Sequence, residues 1–233
     1  NYLEKNMIIL TGASGGIGQA ILPSLAKLDN VIAISHSKPI NVDQLDGIES
    51  YQVDLTSESQ VNEFVLKIKS KLSKVVLIHA AVISLDNLAV KFETEDWNQS
   101  INLNLNGNFF LTRALLTPMI EDAWGRIIHM SSIAAIKGVS GTIAYSTTKT
   151  GLLGMSKVLA SEYARFGITS NVLIPGYLDT GLIDTLDEKS RLKILESIPS
   201  KKLGSPSNIV NAIDFLIKSE YVNGSSINVD GGI

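Results

Sequence analysis

The chain contains no cysteine, which removes disulfides, thiolate nucleophiles and thiolate metal sites and suits a reducing, cytoplasmic setting. Histidine is nearly as scarce. His36, His79 and His129 lie far apart, in or beside apolar runs, so each is expected to be packed or hydrogen-bonded and no metal site is expected. Basic runs are also missing, and 20 Lys and Arg against 23 Asp and Glu give a formal charge of −3. A general nucleic-acid binder draws its affinity from neutralising phosphates with cations, so this balance argues against one. No apolar run reaches the roughly 18–20 residues of a membrane span. The amino-terminal stretch lacks the basic, apolar, small-residue order of a signal peptide. A soluble protein, acting away from membranes, is the expectation.

What is present is a regular alternation. With 233 residues, 45% of them hydrophobic, the chain can bury the core of one α/β domain covering residues 1–233. Apolar, β-rich runs fall at 7–10, 31–34, 51–53, 75–78, 126–130, 170–174 and 226–229. Stretches of helical period at 17–28, 59–72, 97–120, 143–166 and 206–219 lie between them. Seven strands alternating with helices predict a three-layer, doubly wound α/β fold around a parallel sheet. Ligands of such sheets lie beyond the carboxyl ends of the strands.

The first of those ends carries Thr11-Gly-Ala-Ser-Gly-Gly-Ile-Gly18, placed between a strand and a helix. Gly12 permits a tight turn, and Gly16 and Gly18 leave no Cβ where backbone must approach a pyrophosphate and helix must approach sheet. Ser14, Gly15 and Ile17 complete this candidate phosphate cradle. The loop lacks the Lys-Ser/Thr ending of an ATPase P-loop. Beyond the second strand, Ser35, His36, Ser37 and Lys38 occupy the position that meets an adenosine ribose, and the first acidic residue is Asp43. A carboxylate there would bond the 2′-hydroxyl, whereas hydroxyls and cations accommodate a 2′-phosphate, so NADP(H) is expected over NAD(H).

Tyr145 and Lys149 stand four residues apart in a helical stretch, with Ser131 and Ser132 upstream. The spacing stacks phenol and ammonium on one face, where the cation is expected to lower the phenol pKa and prepare Tyr145 to exchange a proton. Ser131 is a second candidate beside Ser132, and Asn102 and Asn106 flank Asn104.

Together, Thr11 to Gly18, Ser132, Tyr145 and Lys149 resemble the short-chain dehydrogenase/reductase family over essentially the whole chain. The resemblance implies a seven-stranded Rossmann sheet and a catalytic tetrad of Asn104, Ser132, Tyr145 and Lys149, with Ser132 and Tyr145 facing substrate. It also implies cofactor contacts from Asp54, Leu55, Ala80, Ala81, Pro175, Gly176 and Thr180, besides Tyr145 and Lys149. By the family's mechanism, Tyr145 protonates the carbonyl oxygen as hydride reaches its carbon, Lys149 bonds the nicotinamide ribose, and Asn104 holds a relay water.

Three stretches resemble the family's 3-oxoacyl-acyl-carrier-protein reductases: residues 83–88 with Glu95-Asp-Trp-Asn98, residues 198–206, and residues 222–232. That resemblance implies an acyl substrate on a carrier protein or CoA, an acyl carrier protein as partner, a tetramer or dimer, and Arg126 as a docking cation. Leu178, Leu182, Ile183, Leu186, Leu192, Ile194 and Leu195 mark 177–202 as an amphipathic flap suited to an acyl chain, or as an ordinary surface helix. The family's Asn-Asn-Ala-Gly is replaced by His79-Ala-Ala-Val82, which sets a branched side chain where glycine approaches the cofactor. A reductase of sugars or small secondary alcohols, and a cofactor-binding sensor without turnover, are the rival readings.

Overall fold

The computed structural model describes residues 5–40, 42, 46–180, 183 and 187–233, so Asp43, Leu182 and Leu186 lie outside the described residues. Seven parallel strands form one sheet: β1 Met7–Thr11, β2 Asn30–Ser35, β3 Ile48–Gln52, β4 Val75–His79, β5 Gly125–Met130, β6 Ile168–Pro175 and β7 Ser226–Val229. Their order is β3-β2-β1-β4-β5-β6-β7. The order reverses between β1 and β4, and that switch point opens a crevice above the carboxyl ends of the strands.

Both faces of the sheet are covered, as the continuous apolar strands require. Ile8 and Leu10 of β1 pack with Ile21 and Leu25 of α1 (Gly16–Leu28) and Ile209 and Ile213 of α8 (Pro206–Lys218). Ile9, the residue between them, faces the opposite layer with Val61 and Phe64 of α2 (Glu58–Ile68) and Leu111 and Leu115 of α4 (Gly107–Glu121). This period-two alternation splits the apolar core between the two layers. Each such fully buried Ile or Leu contributes about 1.5–3 kcal/mol.

The expected helix at 97–120 is a composite: α3 (Thr94–Ile101) and α4 are joined by a π-helical turn, Asn102–Asn106. The widened turn is a device common at functional sites, and here it carries the buried Asn104. The third strand runs earlier than expected, from Ile48, because it is an edge strand with Glu49, Ser50 and Gln52 exposed. Its exposed face diluted the apolar signal. The crossover from β2 to β3 spans residues 36–47 with no helix among its described residues. The remaining helices are α5 (Ala134–Lys137), α6 (Ile143–Tyr163) and α7 (Glu188–Ser197). Among the described residues no helix is long and apolar enough to cross a membrane.

Candidate active site

The glycine loop closes the crevice at its floor. Gly12 has φ +66°, and a Cβ there would lie 2.6 Å from the Cα and N of Ala81. A Cβ on Gly18 would lie 2.2 Å from the carbonyl oxygen of Gly12. Gly12 thus lets the loops after β1 and β4 touch across the switch point, and Gly18 lets α1 begin directly beneath the turn. Thr11, absent from the predicted site, locks the same contact: its buried hydroxyl accepts from the N–H groups of Ala80 and Ala81, both at 3.0 Å. Its only sequence signal is its place at the head of the loop. Gly15 caps α1 without a side-chain bond, so the first-turn N–H groups of Gly16, Ile17 and Gly18 lack intrahelical partners and make a candidate anion cradle. Thr180 reaches this cradle, its hydroxyl donating to the Gly16 carbonyl at 3.4 Å.

On the adenosine side, Ser35 is buried with its hydroxyl unpartnered, while His36, Ser37 and Lys38 are exposed. Gln52 donates to the Ser37 carbonyl at 3.2 Å. Asp54 is brought beside them. Burial pushes its carboxyl up, but the hydroxyl and N–H of Thr56 outweigh this with His36 assisting, so it stays below the ordinary range. Leu55 is buried under Gly107. At the far end, Pro175 ends β6 and Gly176 packs against Asp230, where a Cβ would lie 2.7 Å from the Asp230 Cα.

The catalytic candidates converge where β5 ends and α6 begins. Ser132 lies near enough to the Tyr145 phenol to pull its pKa down, and its oxygen accepts from the Ala134 N–H at 3.2 Å. Ser131 is settled differently: it is buried and donates to the Lys149 carbonyl at 2.9 Å, pegging α6 to the sheet. Lys149 is 3% exposed and donates to the Met130 carbonyl at 2.6 Å. Among the three asparagines, Asn104 alone is buried; it accepts from the Ile83 N–H, donates back to the Ile83 carbonyl, and donates to Thr148. Asn102 and Asn106 pair with each other at 3.0 Å.

One electrostatic expectation is corrected. Lys149 does not depress Tyr145; burial pushes the phenol above its ordinary value, Ser132 pulls against this, and Asp86 adds a smaller push upward. The ammonium sits 5.8 Å from the ring centroid and spends a hydrogen bond on Met130. Burial pulls Lys149 itself down, to about 8. Both groups shift toward neutrality for one reason, the loss of water around them. A phenol that keeps its proton is suited to act as an acid.

Arg126 is the second correction. It lies at the amino-terminal side of β5, 4% exposed, donating to the carbonyls of Ile217, Gly125 and Gly167, with Trp124 stacked at 4.4 Å. A guanidinium so engaged braces β5 against β6 and α8 and cannot dock a partner.

A glycine cradle at a sheet switch point beside a Ser, Tyr and Lys cluster defines an NAD(P)-dependent oxidoreductase. Residues 6–191 match the short chain dehydrogenase family, and the chain belongs to it. The 3-oxoacyl-[acyl-carrier-protein] reductase of Rickettsia felis is 36% identical over 229 residues, spanning 97% of this chain and 95% of that protein. Nodulation protein G of Azospirillum brasilense is 33% identical, spanning 99% of each. A solved structure, ElxO with NADP bound, superposes with a TM-score of 0.88 at 31% identity and covers 98% of each chain.

Proposed function

We propose that this chain is an NADPH-dependent reductase of 3-oxoacyl thioesters. The observation that carries the reading is the convergence of Ser132, a Tyr145 phenol held in its acid form, and a sealed Lys149 above the glycine cradle. NADPH, when bound, supplies the hydride. Its pyrophosphate would rest on the N–H groups of Gly16, Ile17 and Gly18, and its adenosine beside Ser35 to Lys38 and Asp54, Leu55. Absence of acidic residues from 35–40 supports a 2′-phosphate. Lys149, with three donors and one acceptor engaged, has donors left for ribose hydroxyls. Tyr145 delivers the proton to the carbonyl oxygen, which becomes the hydroxyl, and Ser132 steadies the charge on that oxygen. The amide of Asn104 is spent on Ile83 and Thr148 and its main-chain carbonyl accepts from Asn108, so a relay water would share that carbonyl with Asn108.

Exposed apolar side chains on the segments that follow β4 and β5 support the acyl substrate. Leu88 and Val90 are 53% and 89% exposed, Ile136 and Ile143 57% and 41%, and the two loops are joined by the Asn87 N–H donating to the Gly141 carbonyl at 2.8 Å. A tetramer or dimer in the cytoplasm goes with this reading. The burial of Arg126 favours a second reading for the handle: CoA or another small thioester in place of a carrier protein. Loss of NADPH absorbance with acetoacetyl thioesters of carrier protein and of CoA, against a panel of keto-sugars and ketones, tests both. Turnover confined to sugars or ketones would overturn the thioester assignment; cofactor binding with no turnover at all would identify a sensor.

A further inference from the structure

Beneath Lys149 runs a buried polar seam that the proton chemistry described so far does not use. On α4 and the π-helical turn before it, Asn104, Asn108 and Thr112 recur every fourth residue, 0%, 4% and 1% exposed, so they share one inward face. Asn104 is at the level of the crevice. Asn108 donates to the Asn104 carbonyl at 3.0 Å, and Thr112 bonds the Nε2 of His79 at 2.8 Å. His79 and His129, in register on β4 and β5, stack with ring centroids 5.1 Å apart and planes 9° from parallel. The Nε2 of His129 bonds Ser170, which donates to Ser156 on α6.

Three polar atoms of this seam have no protein partner: Oδ1 of Asn108, Nδ1 of His79 and Nδ1 of His129. They make up all but one of the buried unpartnered side-chain atoms among the described residues, the other being the Ser35 hydroxyl. Polar atoms left unpartnered at this depth destabilise the fold, and three on one seam call for a guest that satisfies them. Asn108 lies one helical turn from Thr112, the partner of the His79 ring, so the Asn108 amide and the imidazole face the same buried interior. Water suits the set as no fixed group does. It donates to Asn108, bonds either ring nitrogen in either tautomer, and accepts from the ammonium of Lys149, which has donors to spare.

We infer that Asn108, His79 and His129 hold internal water against Lys149 and act as positioning residues for the proton step through it. The inference rests on the proposed function only for the part Lys149 plays in turnover. The titratable groups around Lys149 are His79 on β4, His129 on β5, Tyr145 on its own helix and, through Tyr145, Asp86 of the loop after β4. Both imidazoles are held neutral by burial, with repulsion from Lys149 acting the same way. They therefore meet the ammonium as dipoles, and water between them supplies solvation that Met130 alone does not.

The test pairs a shape-filling with a polar substitution at each histidine: His79→Phe against His79→Asn, and His129→Phe against His129→Asn. The Phe variants are expected to lower kcat about tenfold with substrate KM within about twofold, and to move the alkaline limb of the pH profile about half a unit lower, while Asn restores both. Asn performing no better than Phe, or Phe leaving kcat and the pH limb unmoved, would show a packing role only and overturn the inference. If a Phe variant does not fold, or no carbonyl substrate is found, the wild-type protein decides by NMR: magnetisation passing from long-lived water to the ring protons of both histidines upholds the site, and its absence removes it. Should only a sugar or ketone be reduced, the same profiles are read on that substrate, so failure of the thioester assignment leaves this test intact.

Discussion

The two walls of the crevice are built on opposite plans. On the wall formed by β5, α6 and the π-helical turn, Lys149, Ser131 and Asn104 are at most 5% exposed, and each is tied to the main chain of another segment. On the β2–β3 wall, His36, Ser37 and Lys38 are exposed on a loop whose described tie is one bond from Gln52 to the Ser37 carbonyl. Groups that transfer a proton must be placed within tenths of an ångström, and their pKa values depend on exclusion of water. Groups that select a phosphate act through charge at longer range and work while solvated. The first plan should give large, all-or-none mutational effects and the second small, graded ones.

The strongest way to break that contrast is Tyr145→Phe, which removes one hydroxyl from the buried wall. Turnover is expected to fall about 10²–10⁴-fold, with the dissociation constant of NADPH changed only a few-fold; transient kinetics and fluorescence titration measure the two. Near-full turnover would remove Tyr145 from its role.

Next in size is Lys149→Met. The ammonium of Lys149 is worth less inside than in the unfolded chain, since burial lowers it from 10.5 to about 8. A base with a depressed native pKa binds fewer protons folded than unfolded between those two values. Its contribution to stability is therefore low below pH 8 and rises toward pH 10.5. Lys149→Met should be inactive yet more stable than the wild type at pH 7, by on the order of 2–3 kcal/mol, with the gap narrowing as pH rises. Wild-type activity should fall over the same alkaline range. Denaturant melts of both proteins at several pH values check this, and a Met variant less stable at neutral pH would refute it.

The smallest expected effect belongs to the open wall. Lys38→Glu should raise the dissociation constant of NADPH several-fold and leave that of NADH nearly unchanged, with the NADPH effect shrinking at high salt. A loss equal to that of Tyr145→Phe, or one that hits both cofactors alike, would show that the exposed loop is built like the buried wall.

Much of this was legible in the sequence because its signals are local. The glycine loop, the Y-x-x-x-K spacing and the alternation of strands and helices each depend on neighbours within one or two turns, and the structure keeps all three. The long-range facts were not legible. Nothing near Arg126 announces that the carbonyls of Ile217, Gly125 and Gly167 and the Trp124 ring will surround it. The choice of Asn104 over Asn102 and Asn106 depends on which of three nearby positions the π-helical turn rotates inward. Edge strand β3 was located late because its exposed residues follow solvent rather than core.

Histidine, scarce at the outset, shows the boundary most plainly. The sequence determined that His79 and His129 would sit in or beside apolar strands and so be packed, because a parallel sheet covered on both faces leaves such positions no solvent. Only the tertiary structure decided that the two rings stack in register under Lys149 with a free nitrogen each. Strand order and register join residues fifty positions apart, and no local pattern carries that information.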